Sequence, residues 1–373
     1  MKDKTILILG LGHNQKDLAI AAKKYGAKVI ACAKDTEGPA KAYVDEYHEI
    51  DILDVDAISK YAKKRNISAI YTLGLEAAIE PIAVVSERLG LNAFISSSDF
   101  QKLKNKGVWR DALGEIPGNL RFQTATILED LGNWSIYPAI VKPVDGSGQR
   151  GVIKVGDKTE LKENFDRSKS FSRSGTVIVE EYAEGDEISV NSFMYKGELA
   201  FAAISDRYSH ENLPGGIIRE HHFPSKYDKP EIAIKVEALV KEVNRIMGFL
   251  NGHVYFQIKI HGDKISLIEF TPRFDGCHMW HLIRYAYGLD LLQVTLECLF
   301  DGRSQTLETF IEPDITDQFI LKFNSDKPGT IVDYANYEVP SNVLYNYWYY
   351  EELERVKSVT GILEKVGYYI SSR

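Results

Sequence analysis

Cysteine is almost missing from this chain. The three present, Cys32, Cys277 and Cys298, have no paired metal-type spacing and are too few for a disulfide framework, which points to a reducing compartment, the cytoplasm. Also missing is any block of Lys and Arg; with a net charge of −8 there is no electrostatic footprint for nucleic acid, and none is expected as a partner. No apolar run approaches the ~18 residues of a membrane span. The opening MKDKTILILGLG lacks the h-region and cleavage site of a signal peptide, so no membrane association is expected. Repeats and low-complexity tracts are absent, and no nucleophile-base-acid triad is evident. What remains is a globular, enzyme-sized chain of 373 residues, enough for two or three domains at roughly 150 residues each.

The most informative stretch runs from Gly252 to His278. Two β-branched, aromatic-rich runs flank a His-Gly-Asp turn, the pattern of a β-hairpin. Gln257 interrupts one run and Glu269 the other. An odd-length loop such as Gly262-Asp263-Lys264 would make them direct cross-strand neighbours. Thr271 shares the face of Glu269 because strand side chains alternate, and Arg273 follows Pro272. Such a set suits Mg²⁺ bridged to phosphate oxygens. A buried Glu269-Arg273 ion pair beside a hydrogen-bonded Gln257 would explain the same residues.

Elsewhere the first hundred residues alternate strand and helix: TILIL, a glycine turn, DLAIAAKKYGA, KVIACA, a helix near Asp54 to Lys64, SAIYTL, and a helix from Glu76 to Leu89. That is the pattern of a parallel sheet with helices on both faces. The turn Gly10-Leu11-Gly12-His13-Asn14-Gln15 is half of a dinucleotide fingerprint, with Gln15 where the third glycine belongs; a structural or pocket-lining turn is the favoured reading. A polar helix is expected from the serines at 96–98 through Lys106 and Arg110. Lys142 ends a buried-type strand before Pro143, and Asp145-Gly146-Ser147-Gly148-Gln149-Arg150-Gly151 follows as a glycine-rich loop. Its amides could cradle an anion, or it could be a plain hairpin loop. Glu180-Glu181-Tyr182-Ala183 and Glu187 could read adenine and ribose, or form a solvated acidic turn. The segment YSHENLPGGIIREHHFPSKY suits a loop closing over substrate; adjacent His221 and His222 on an extended chain point to opposite sides, so a shared ion is not expected. From about Thr309 the chain is strand-rich and aromatic, with core or subunit-contact packing as the default reading.

Taken in order, Lys106, Lys142 with the Gly-Ser-Gly-Gln-Arg-Gly loop, Glu180 to Ala183 with Glu187, and Gln257 with Glu269 and Arg273 resemble the ATP-grasp superfamily, in detail its carboxylate-amine ligase branch, which includes L-amino acid ligases and carbamoyl-phosphate-synthetase-like proteins. The resemblance implies an α/β and α+β fold: a Rossmann-like pre-ATP-grasp domain over 1–105, a two-lobed ATP-grasp domain over 106–308 with a mobile lobe at about 120–183, and a strand-rich C-terminal lobe over 309–373. Relatives often run on past GYYISSR into another helix, so the resemblance leaves open whether the terminal lobe is complete. The resemblance further implies ATP with Mg²⁺, or Mn²⁺ in its place. Lys106 and Lys142 would neutralise phosphates, with Lys142 and Arg273 serving the phosphoryl transfer. Ser147, Gly148 and Gly151 would cover the β- and γ-phosphates, Glu180, Glu181, Tyr182 and Ala183 would hold adenine, and Glu187 the ribose. Gln257, Glu269 and Thr271 would carry the metal, although the superfamily usually has asparagine where Thr271 stands. Arg207, His210, Arg219, His222 and His278 are the candidates for holding a small-molecule carboxylate that is joined to an amine, and a homodimer is left open. A purine-pathway-like carboxylase or ligase using bicarbonate or glycine, and a nucleotide-binding module without turnover, are the alternative readings.

Overall fold

The computed structural model describes residues 3–146, 148–213 and 216–372. Its first unit is a four-stranded parallel sheet in the order Glu46–Glu49, Lys28–Ala33, Thr5–Leu9, Ala69–Tyr71. After their polar first residues, Thr5 and Lys28, TILIL and KVIACA are apolar because helices cover both faces of the sheet, and Ile6 to Leu9 are fully buried. The strand Glu46–Glu49, EYHE, gives no apolar signal; it lies at the sheet edge with alternating burial. Helix Val55–Lys64 starts where Asp54 accepts from the Ala57 amide. At the glycine turn, the Gln15 side chain donates to Thr72 Oγ1 at 3.0 Å and to the Leu73 carbonyl at 2.8 Å, filling the space beside Gly10 and Gly12. The half-fingerprint is therefore a packed structural turn.

The polar helix expected from Ser96 onward is in fact two, Ser97–Leu103 and Lys106–Leu113. Asn105 breaks it by accepting from the amides of Gly107 and Val108, a side-chain cap that restarts the helix. Lys106 thereby becomes the first residue of the second helix.

Two antiparallel sheets follow. The smaller runs in the order Phe122–Ala125, Val177–Glu181, Ala139–Pro143, Ile153–Val155, with helix Lys158–Lys169 packed on it. The larger has eight strands in the order Lys264–Thr271, Gly252–His261, Asp186–Tyr195, Glu198–Ser209, Ile218–Phe223, Phe319–Asp326, Glu364–Ser372, Val343–Trp348. The three strands of the aromatic tail thus continue the sheet that carries Gln257 and Glu269. Tyr345, Tyr347 and Tyr349 pack against the core cluster that contains Tyr368, which accounts for the aromatic run as internal packing. Among the described residues no helix is long and apolar enough to cross a membrane.

Candidate active site

Gln257 and Glu269 are direct cross-strand partners, but the route to that register differs from the expected one. The turn holds two residues, Gly262 and Asp263, closing on the pair His261 and Lys264, and a bulge beyond Gln257 leaves Ile268 unpaired. A two-residue turn alone would set Gln257 opposite Ile268; the inserted residue shifts the register by one and returns Glu269 to the face of Gln257. Thr271 pairs with Tyr255 on the same face. Arg273 does not pair with Glu269. Its guanidinium donates to the Phe274 carbonyl and meets Glu76 at 3.1 Å, and its Nε is buried without a partner. Among the described residues Glu269 makes no ion pair, so the buried Glu269-Arg273 alternative is not what the fold adopts.

Two cavities meet at this pair. One, of about 310 Å³, is lined by Lys106, Lys142, Gly148, Glu180 to Ala183, Lys259, Gln257 and Glu269 among others. The other, of about 550 Å³, shares Lys106, Gly146, Gln257 and Glu269 and adds Tyr255, Thr271 and Arg273. The smaller cavity therefore collects most of the residues singled out for nucleotide, and the larger one collects the metal set. Ser147 lies outside the described residues. Gly151 has φ +75°, and an added Cβ there would come within 3.1 Å of Phe171 and Pro143, so it shapes the glycine loop from behind. Asp145 anchors that loop by accepting from Ser172 Oγ and the Ser174 amide at 2.8 Å each. On the far side Gly216 comes against Gln149, where a Cβ would stand 2.3 Å from Nε2, so the glycine loop and Gly216 touch.

Lys142 and Glu180 sit on adjacent strands as diagonal neighbours, Ile140 being opposite Glu180. Lys142 Nζ lies 2.6 Å from Glu180 Oε2, and Arg110 Nε 2.9 Å from Oε1. Burial opposes the charge on Glu180, yet Arg110 and Lys142 outweigh it and hold the carboxyl well below the usual range. With one carboxylate against two buried cations, burial and Arg110 together draw Lys142 down from the usual lysine value. The carboxylate expected at the adenine is thus committed to Lys142 and Arg110. Glu187 also differs from expectation: it faces Lys259 across the strand pair and binds Arg207 Nη1 at 2.5 Å.

Arg110 and Lys259 were not anticipated as site residues. Arg110 is fully buried; besides Glu180 it holds Asn119 Oδ1 and the carbonyls of Leu267 and Ile268, so one guanidinium ties Lys142's partner to the bulge that positions Glu269. The available signals were its four-residue offset from Lys106 on one helix and the two-residue offset of Lys259 from Gln257.

The five substrate candidates do not converge. Arg207 is buried and paired with Glu187. Arg219 and His222 meet at Glu220, at 3.0 and 3.2 Å. Burial and Arg219 lower His210. His278 is locked in packing, Nδ1 at 2.9 Å from Asp17 Oδ2 and Nε2 at 2.8 Å from the Tyr349 hydroxyl, and burial holds it at about 4. His278 is therefore part of the wall and does not face a ligand.

A family model described as the ATP-grasp domain matches residues 135–280. The chain is 28% identical over 279 residues to the formate-dependent phosphoribosylglycinamide formyltransferase of Erythrobacter litoralis, covering 72% of this chain and 70% of that protein. It is 28% identical over 331 residues to the alanine--anticapsin ligase of Bacillus subtilis, covering 78% and 67%. The crystal structure of an L-amino acid ligase from Bacillus licheniformis superimposes with a TM-score of 0.82 at 18% identity, covering 100% of this chain and 94% of that one.

Proposed function

Since this chain belongs to the ATP-grasp superfamily, we propose that it is a carboxylate-amine ligase: ATP phosphorylates a small carboxylate, and an amine captures the resulting acyl phosphate with release of ADP and phosphate. The observation that carries this is the pairing of Gln257 with Glu269 at the junction of two cavities, beside Lys106.

The residues fit the groups they would hold. Gln257, Glu269 and Thr271 offer oxygen donors on one strand face, the donor type Mg²⁺ prefers. Bound there, Mg²⁺ would supply charge neutralisation across the phosphates. Lys106, Lys142, Arg150 and Lys259 line the smaller cavity together with Glu180, Glu181 and Glu269; Glu180 is paired with Lys142 and Glu181 with Arg121, which leaves Lys106, Arg150 and Lys259 outside those pairs to meet a triphosphate. The glycine loop covers the β- and γ-phosphates and the backbone at Tyr182 and Ala183 takes adenine, while Glu187, paired with Arg207 and outside the lining of both cavities, is not assigned to the ribose. Arg273, at the rim of the larger cavity with an unpartnered Nε, stabilises charge on the transferring phosphoryl group. The protein's contribution is positioning and charge stabilisation, without a covalent nucleophile. The reaction belongs in the cytoplasm, and since every residue named lies on one chain, a homodimer is compatible with it but not required.

The test is ADP release by the whole chain with MgATP, over a panel of carboxylic acids with and without amines. Acid-dependent ADP release is expected. Nucleotide binding without ADP release for any acid would overturn the ligase reading in favour of a binding module; turnover with aminoimidazole ribonucleotide and bicarbonate would favour the purine-pathway alternative.

A further inference from the structure

A further cavity, of about 230 Å³, shares no lining residue with the two that meet at Gln257 and Glu269. It opens at the edge of strand Glu198–Ser209. That strand pairs along one side with Asp186–Tyr195, but Ile218–Phe223 covers its other side only from Asp206 onward. Leu199 to Ala202 therefore line the cavity with no strand beyond them, and such an edge presents unpaired backbone groups. Val236 and Val240 of helix Pro230–Met247 give it an apolar wall. Phe201 and Tyr287 close it from another side, edge to face with ring centroids 4.9 Å apart, and they are 2% and 7% exposed.

Its charge is of one sign. Asp228, Glu237 and Glu312 come to the rim from three separate segments, and no Lys, Arg or His is among the lining residues. Lys241 answers Glu237 at 2.5 Å. Asp228 and Glu312 have no ion-pair partner among the described residues. Partial burial raises the Asp228 carboxyl, and partial burial followed by Asp228 and Glu237 raises Glu312, the behaviour of acids that lack a counter-charge. Carboxylates at a rim are common without a ligand; Tyr287 sets these apart. Its hydroxyl makes no hydrogen bond among the described residues although the side chain is buried. Burial, then Glu312 and Asp228, raise it above the ordinary phenol value, so it stays protonated on the side of the two unanswered acids. A buried hydroxyl is expected to have a partner.

A hydrated metal ion would gain nothing from the valines and Phe201, and a neutral apolar molecule would leave the acids unanswered. An organic ammonium meets both demands: its N–H groups donate to carboxylates and to a phenol oxygen, its charge is attracted to aromatic rings, and its stem lies on apolar surface. We propose that this cavity is a binding site for a primary alkylammonium, its nitrogen between Asp228, Glu312 and the Tyr287 hydroxyl and its stem along Val236, Val240 and Phe201. The site is separate from the ATP cavities and does not rest on the ligase reading.

The test is calorimetric titration of the full chain, without ATP, with n-pentylammonium chloride, n-pentanol and magnesium chloride in turn. The amine binds at or below about 1 mM and the alcohol at least about tenfold more weakly, because only the amine answers the carboxylates. Tyr287→Phe, which removes one oxygen and keeps the ring, weakens the amine about threefold. Asp228→Asn together with Glu312→Gln weakens it at least about tenfold, whereas Glu269→Ala, in the other site, binds it as the native chain does. No binding of the amine at about 10 mM, equal binding of the alcohol, or unchanged binding in the D228N/E312Q variant overturns the assignment. Loss of the amine in E269A alone would place it in the ATP site and overturn it as well, as would magnesium binding here in the amine's place. Because the readout is binding, failure of every acid to elicit ADP would end the ligase reading and leave this site standing.

Discussion

Two polar clusters lie within seven residues of each other, and they have opposite fates. At one end of the segment Asp275–His281, Asp17 Oδ2 accepts from His278, His281 and the Trp280 indole at 2.9, 3.0 and 3.2 Å, and His278 is held on its other side by Tyr349. At the other end Asp275 and His221 keep atoms that nothing among the described residues satisfies. Composition is nearly the same in both; satisfaction is not. A polar cluster whose hydrogen bonds are closed by the protein fastens distant segments of the chain, as Asp17 does with His278, while one left open keeps polar atoms unmatched in the interior. The same contrast separates Glu180, bound on both oxygens, from Glu269, which faces the cavities with none of its oxygens committed to an ion pair among the described residues.

Substitutions should therefore split into those that harm chemistry and those that harm the fold. The largest effect is expected at Glu269, the only carboxylate of the metal set: Glu269→Ala should lower the rate of ADP release on the order of a thousandfold with an unchanged melting temperature, and a mutant of normal rate would remove Glu269 from the mechanism. Glu180→Gln tests the intermediate case. It leaves Arg110 and Lys142 buried without their shared counter-charge, so denaturant titration should show a loss of about 3–5 kcal/mol, with a raised KM for ATP in the folded fraction. At the closed cluster, Asp17→Asn should cost about 2 kcal/mol or more, since three donors lose an ionised acceptor, while kcat in the folded fraction stays within about twofold; a selective loss of kcat would blur the contrast between the clusters. The smallest effect concerns pH. Burial lowers His278 and His13 from 6.5 to about 4 each, so they stay neutral in the fold at pH values where the unfolded chain protonates them. The unfolded state then binds more protons, and stability is full above about pH 6.5 and declines as the pH falls toward 4. Melting temperatures over that window should fall on acidification; a flat profile would show that these rings are not held neutral.

Much of this was legible in the sequence where the signal is local. The β-α alternation of the first hundred residues and the hairpin after Gly252 follow from periodicity, whereas the shared face of Gln257 and Glu269, expected from an odd-length loop, is reached through a bulge. The bulge at Ile268 did not, because an extra residue in an apolar strand leaves the local pattern unchanged while shifting every pair beyond it. The edge strand Glu46–Glu49 carries no apolar run to announce it, and the break at Asn105 shows only as a capping residue inside a helical stretch. The partners of Glu180 were out of reach for a different reason: Arg110 lies seventy positions away, and nothing in either neighbourhood marks the other. The same holds for His278, which looks available in the sequence and is closed off by Asp17, 261 positions earlier.

The acyl phosphate can be tested by following one oxygen atom. When an acid that elicits ADP release is supplied with ¹⁸O in its carboxylate, together with MgATP and an amine, the released phosphate should carry one labelled oxygen per turnover, because the carboxylate oxygen that attacks the γ-phosphate leaves with it. Unlabelled phosphate would mean that water, and not the acid, takes the phosphoryl group, and would contradict the ligase assignment.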